Sequence, residues 1–172
     1  VSDVDILASI EALVMDVDGV LTDGTFSLSA SGEETKRFSF EDVMGLSRAR
    51  RAGVTLALIS GESGALIDRF AYKVGITHVA QGCKEKGTAL AEFSRATGIP
   101  LECIAYVGDD VNDLPALRIA GFGVAPANAQ PPVKQAATLV LARSGGAGAV
   151  RELVEMILAA RGPRPGTGET QP

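Results

Sequence analysis

Three short, predominantly apolar runs, Leu13 to Val17, Val54 to Ile59 and Cys103 to Val107, constrain this chain most, because each ends abruptly in polar chemistry. Runs of this length that do not alternate are what parallel strands covered on both faces look like. The first passes into Asp16-Val17-Asp18-Gly19, the second into Ser60-Gly61-Glu62 and the third into Gly108-Asp109-Asp110. Ligands bind outside the carboxyl ends of strands in an open parallel sheet, so the three tails are expected to meet in one crevice.

Helical patterns separate the runs, at about Asp42 to Ala52, Ser63 to Lys73, Lys84 to Thr97 and Asn112 to Ile119, most of them followed by glycine. Shorter strands are expected at Thr77 to Ala80, Phe122 to Ala125 and Thr138 to Leu141, and a last helix at Ala149 to Ala160. Strand and helix alternate, which gives an α/β fold: an open parallel, Rossmann-like sheet with helices on both faces. With 172 residues, 46% of them hydrophobic, the chain can bury one core without disulfides or metal. The expectation is a single domain over residues 1–161. Gly162 to Pro172, with three prolines and three glycines, reads as a disordered tail.

One segment breaks the alternation. Thr25 to Ala30 and Thr35 to Phe40, joined by Ser31-Gly32-Glu33-Glu34, carry Phe26, Leu28, Phe38 and Phe40 at period two. That is the pattern of a protruding β-hairpin over residues 25–40 with one apolar face. A two-stranded hairpin alone is marginal, so this face needs a cover, and another subunit is the expected one.

Sixteen basic residues stand against 21 acidic, a net charge of -5 that works against a nucleic-acid footprint. Cys83 and Cys103 have no metal spacing and are too few for a secreted disulfide framework. The start of the chain lacks the pattern of a signal peptide, and no apolar run approaches membrane-spanning length. A soluble, cytoplasmic protein with no membrane partner is the expectation.

Residues two apart on a strand face the same side at roughly 6 to 7 Å, so Asp16 and Asp18 can reach one ligand. One carboxylate could attack while the other moves a proton. Asp3-Val4-Asp5 lacks both the preceding apolar run and the following glycine, and reads as a solvated turn. Asp109, Asp110 and Asp113 add three carboxylates within five residues. A helix start would account for Asp110 or Asp113 alone, but the whole cluster repels itself unless a cation neutralises it. Oxygen-only ligands from few carboxylates suit Mg²⁺. Ser60-Gly61 ahead of a helix could hold phosphate or could be a mere cap. Lys84 and Lys86 are oddly placed for the dipole of the helix they begin, and a ligand phosphate would explain one of them.

Taken in order, D-V-D-G-V-L-T-D-G at 16 to 24, I-S-G-E at 59 to 62, Q-G-C-K-E-K-G at 81 to 87 and G-D-D-V-N-D-L-P at 108 to 115 resemble the four motifs of the haloacid dehalogenase superfamily phosphatases. The resemblance spans Leu13 to about Arg161. It implies that Asp16 is the nucleophile forming an aspartyl-phosphate, and that Asp18 protonates the leaving oxygen and then activates water. Ser60, the Gly61 backbone and Lys86 would hold the phosphoryl oxygens. Mg²⁺ would sit on Asp16, the backbone carbonyl of Asp18, and Asp109, while Asp110 and Asp113 orient waters or the lysine.

The 41 residues between Asp18 and Ser60 and the 25 between Ser60 and Lys86 leave no room for a cap domain. The capless branch with such a hairpin resembles the 3-deoxy-D-manno-octulosonate 8-phosphate (KDO 8-phosphate) phosphatases and their sialic-acid-type relatives. This implies a homotetramer in which hairpins and C-terminal segments close neighbouring sites, Gly145 to Glu152 resembling that segment. Glu62 stands where the octulosonate enzymes have Arg, and Asp42-Val43-Met44-Gly45 departs from their Asp-Gly-x-Gly. Glu62 and Lys73 match the branch acting on 2-keto-3-deoxynononate 9-phosphate (KDN 9-phosphate), although Phe70 replaces its second basic residue. Both are therefore candidate substrate contacts, and the nine-carbon acid is favoured over KDO 8-phosphate. The alternatives are a phospho-Asp receiver-like signalling module, a non-catalytic assembly domain and a module of a sialic-acid-type cytidylyltransferase. His78 has no place in any motif.

Overall fold

A computed structural model describes residues 2–162. The elements run α1 (Asp3–Ser9), β1 (Ala12–Met15), β2 (Ser27–Leu28), β3 (Glu34–Thr35), α2 (Phe40–Arg51), β4 (Thr55–Ile59), α3 (Ala65–Val74) and β5 (His78–Ala80). They continue with α4 (Lys86–Thr97), β6 (Ile104–Val107), α5 (Leu114–Ile119), β7 (Phe122–Ala125), α6 (Pro131–Ala136), β8 (Leu139–Val140) and α7 (Ala149–Arg161). Six strands form one parallel sheet in the order β5-β4-β1-β6-β7-β8.

The three apolar runs are the three central strands. Ala12 lies opposite Thr55 on one side and Ile104 on the other, and Met15 opposite Leu58 and Val107. Their ends therefore stand level, which is what brings Asp16, Ser60 and Asp109 together. Successive side chains of β1 point to opposite faces. Leu13 and Met15 pack in a core with Leu7, Leu46, Ile67, Phe70 and Leu153, from α1, α2, α3 and α7. Val14 packs in a second core with Leu90, Leu117 and Val133, from α4, α5 and α6. Both faces are covered, as the lack of alternation requires.

The structure corrects several local readings. Asp3 to Ser9 is a helix, not a turn: Ser2 and Asp5 form a reciprocal capping box, with Asp5 N donating to Ser2 Oγ and Ser2 N to Asp5 Oδ2. The hairpin is real but short, with Ser27 paired to Thr35 and Leu28 to Glu34, so Glu34 belongs to a strand rather than the turn. Phe38 and Phe40 leave it altogether. Phe38 stacks on Phe70 at 4.1 Å between ring centroids, and Phe40 opens α2 behind the Ser39 cap. α3 begins at Ala65 and α4 at Lys86, each two residues later than expected, and α6, which starts on Pro131-Pro132, was not foreseen. Asn112 belongs to a short 3₁₀ turn, Val111–Asp113, ahead of α5. The tail expected after Gly162 lies outside the described residues. Among the described residues, no helix is long and apolar enough to cross a membrane.

Candidate active site

Asp16 follows β1 directly and stays in sheet register, its N–H donating to the Val107 carbonyl at 3.0 Å. The chain then turns sharply, with the N–H groups of Leu21 and Thr22 both donating to the Val17 carbonyl. Gly19 makes the turn possible. Its φ is +83°, and a Cβ there would lie 1.9 Å from Asp109 Oδ2. Asn128 ties the turn to the other end of the chain, donating through Nδ2 to the Gly19 carbonyl at 2.9 Å and accepting from Gly145 N at 2.7 Å. A Cβ on Gly145 would lie 2.0 Å from the Gly19 carbonyl oxygen, so the C-terminal glycine segment braces its own chain's Asp16 loop.

Lys86, the first residue of α4, is 1% exposed and sits between two carboxylates. Its Nζ is 2.8 Å from Asp16 Oδ2 and 2.7 Å from Asp113 Oδ1. Burial pulls the ammonium's pKa down, but the charges of Asp16 and Asp113 outweigh it, and the group stays above the ordinary lysine value. Asp113 is saturated: Oδ1 also accepts from Tyr106 Oη at 2.6 Å, and Oδ2 accepts the N–H groups of Asp109 and Asp110. Asp110 caps the 3₁₀ turn, accepting from Val111 N.

Asp16, Asp109 and Asp113 each offer an oxygen within 4.8 Å of the others. Burial, followed by the charge of Asp113, raises Asp16 to about 7 against the opposing pull of Lys86. Burial and the charges of Asp113 and Asp110 raise Asp109 to about 7. Asp109 Oδ1 is buried and has no hydrogen-bond partner among the described residues. An orphaned carboxylate oxygen beside a second carboxylate fits a hard divalent cation such as Mg²⁺, which would supply the missing partner and the missing charge. Asp113 completes the carboxylate group in place of Asp18, whose expected contribution was its backbone carbonyl. Because every oxygen of Asp113 is already engaged, it serves Lys86 and the 109–110 backbone.

Asp18 has a different partner. Lys36, just after β3, reaches back with Nζ 2.8 Å from Asp18 Oδ1 and 3.0 Å from Oδ2. A crevice of about 220 Å³ is lined by residues that include Asp16, Asp18, Gly61, Glu62, Lys86, Asp109 and Asp110. Ser60 is 1% exposed, and its Oγ accepts from Glu62 N at 3.1 Å. The helix N-terminus expected behind Ser60-Gly61 starts four residues later, and Gly64 N donates to Gln81 Oε1. Exposed Lys84 donates to the Gly61 carbonyl at 3.3 Å, leaving Lys86 as the buried lysine of the site.

Lys73 is not in this crevice. It faces an adjoining groove of about 330 Å³ with Lys36, Phe38, Phe40 and Arg69, its Nζ 5.8 Å from the Phe40 ring centroid. A smaller cavity shares Glu62 with the crevice and Lys36 and Leu66 with the groove. Phe70 is core, and Arg69 beside it joins Lys36 and Lys73 among the cations of the groove. His78 lies at the sheet edge against Phe93. Lys36, Tyr106 and Asn128 escaped sequence reading. Tyr106 interrupts an otherwise aliphatic buried strand, and that was the available signal.

The family model of haloacid dehalogenase-like hydrolases matches residues 79–153. The 3-deoxy-D-manno-octulosonate 8-phosphate phosphatase of Escherichia coli K12 is 38% identical over 154 residues, which is 90% of this chain and 82% of that protein. Its counterpart in Haemophilus influenzae is 39% identical over 156 residues, covering 91% and 87%. The crystal structure of the Moraxella catarrhalis phosphatase, in complex with magnesium, phosphate and KDO, superposes with a TM-score of 0.90 at 40% identity, covering 92% and 91%. The cobalt-bound Haemophilus influenzae enzyme gives 0.88 at 39% identity, covering 91% and 92%. The chain thus belongs to the haloacid dehalogenase-like hydrolases, within their family of 3-deoxy-D-manno-octulosonate 8-phosphate phosphatases.

Proposed function

We propose that this protein hydrolyses the phosphomonoester of a 2-keto-3-deoxy sugar acid, with KDO 8-phosphate as the first substrate to test. One observation carries the chemistry: Asp16 and Asp18 line a single crevice with Lys86 and Asp109, and one buried oxygen of Asp109 has no hydrogen-bond partner among the described residues. The Asp16 carboxylate attacks phosphorus, and the P–O bond to the sugar breaks as Asp18 gives its proton to the departing oxygen. Water then attacks the aspartyl-phosphate while Asp18 takes its proton, releasing phosphate and restoring Asp16. Lys86, the Ser60 hydroxyl and the Gly61 backbone hold the phosphoryl oxygens. Asp113 and Tyr106 fix the lysine. Mg²⁺ on Asp16, the Asp18 carbonyl and Asp109 would neutralise charge on the phosphoryl group. The expected assembly is a homotetramer with the hairpin at an interface, and the expected setting is cytoplasmic.

The relatives' substrate supports the eight-carbon acid. One feature favours KDN 9-phosphate as a second reading: Glu62 lines the crevice and also a small cavity that shares Lys36 and Leu66 with the groove holding Arg69 and Lys73, which could pair with a sugar carboxylate. Both esters, with simple sugar phosphates as controls, should be assayed with Mg²⁺ and with EDTA. The expected result is Mg²⁺-dependent release of phosphate from one acid at least about tenfold faster than from the controls. Equal rates on every ester would remove the sugar-acid reading. Asp16→Asn should lower turnover by at least about a thousandfold, and unchanged turnover would overturn the nucleophile assignment.

A further inference from the structure

We propose that Lys36 is a positioning residue for the proton shuttle, which makes the hairpin part of the catalytic apparatus as well as a surface element. The inference rests on the acid–base role proposed for Asp18. Lys36 lies next to β3, whereas Asp18 lies in the loop after β1, and the contact between them ties the returning arm of the hairpin to that loop. The ammonium spans both carboxylate oxygens, at 2.8 and 3.0 Å. The Lys36 side chain is only 9% exposed, against 32% for Asp18, so the cation is the fixed partner and the carboxylate the accessible one. Glu34 on β3 anchors Lys36 from the other side at 3.3 Å.

This arrangement fits aiming rather than substrate binding. An ammonium has three N–H donors, and the two carboxylates already engage them. One Asp18 oxygen must leave Lys36 to deliver a proton to the departing oxygen, while the other stays held and sets the direction of the swing. Lys36 gives up no proton itself. The O–H bond of Asp18 breaks, a new O–H bond forms on the leaving group, and the carboxylate then takes a proton from water.

The test compares phenyl phosphate with p-nitrophenyl phosphate, which have similar shapes but need a proton on the leaving oxygen to very different degrees. The readout is kcat/KM, which covers the steps through aspartyl-phosphate formation. Lys36→Met should lose about tenfold on phenyl phosphate and less than about threefold on p-nitrophenyl phosphate, and Lys36→Arg should recover most of the loss. Lys36→Gln gives the same comparison if the Met variant folds poorly by thermal melting. Equal losses on both esters, or none, overturn the inference. Asp18→Asn separates it from the reading beneath it. If Asp18→Asn shows the leaving-group dependence and the Lys36 variants do not, the positioning role fails alone; if Asp18→Asn lacks it too, the acid–base assignment has failed.

Discussion

The strand-end cluster and the hairpin both reach the crevice, and they are built in opposite ways. Lys86, Asp113 and Tyr106 are almost wholly buried, and Asp113 joins the other two through hydrogen bonds of 2.7 and 2.6 Å, with Tyr106 on a central strand of the sheet. The hairpin has four paired residues, and Phe26 and Leu28 on it are 61% and 64% exposed. On the proposed roles, the group that neutralises charge thus sits in rigid, dry surroundings, and the group that moves a proton is held by the element with least support of its own. Phosphoryl transfer makes both demands: preorganised charge at phosphorus, and a carboxylate free to swing.

The largest effect should come from breaking the rigid side. Lys86→Met leaves Asp16 and Asp113 buried without their counter-charge, and losing one partner of such a group costs about 3–5 kcal/mol. Denaturant unfolding should show that loss together with loss of turnover. A stability change below about 1 kcal/mol would mean that the cluster is not the stiff half of the site.

Metal removal sharpens the same contrast. In the metal-free protein Asp109 is raised from its ordinary value to about 7, chiefly by burial and then by the charges of Asp113 and Asp110. Between these two values the folded state holds more protons than the unfolded state, so stability falls as pH rises from about 4 to about 7 and levels off above that. Mg²⁺ displaces those protons, so its stabilising effect should grow over the same interval. Melting temperatures with EDTA and with Mg²⁺ at pH 5, 6, 7 and 8 test this. Asp109→Asn should flatten the difference, and parallel curves would argue against a metal on this cluster.

The two regions were also unequally legible. The central strands could be read because they are covered on both faces, and the convergence of Asp16, Ser60 and Asp109 followed from parallel topology alone. The hairpin was blurred because period two continues through Phe38 and Phe40, although Ser39 caps a helix there and Phe38 is claimed by Phe70. Asp5 was misread because its partner in the capping box is Ser2, three residues back, and no apolar run drew attention to it. Lys36 belongs to no motif. Its proposed role depends on a contact eighteen residues distant in sequence, which the hairpin's fold-back creates.

The smallest effect on stability should come from the flexible side. Phe26→Ser with Leu28→Ser removes apolar surface that the described chain leaves largely exposed, so folding stability should change by no more than about 0.5 kcal/mol. Assembly should respond differently. If these side chains are covered by another subunit, burying them there contributes about 1.5–3 kcal/mol each, and their loss should reduce the molar mass measured by light scattering. Activity should fall with mass if the hairpin, and Lys36 with it, needs that cover to stay in place. Unchanged mass with unchanged turnover would show that the hairpin holds its position without a neighbour. Reduced mass with full turnover would separate assembly from catalysis, and would leave the Lys36–Glu34 contact as sufficient support for Asp18.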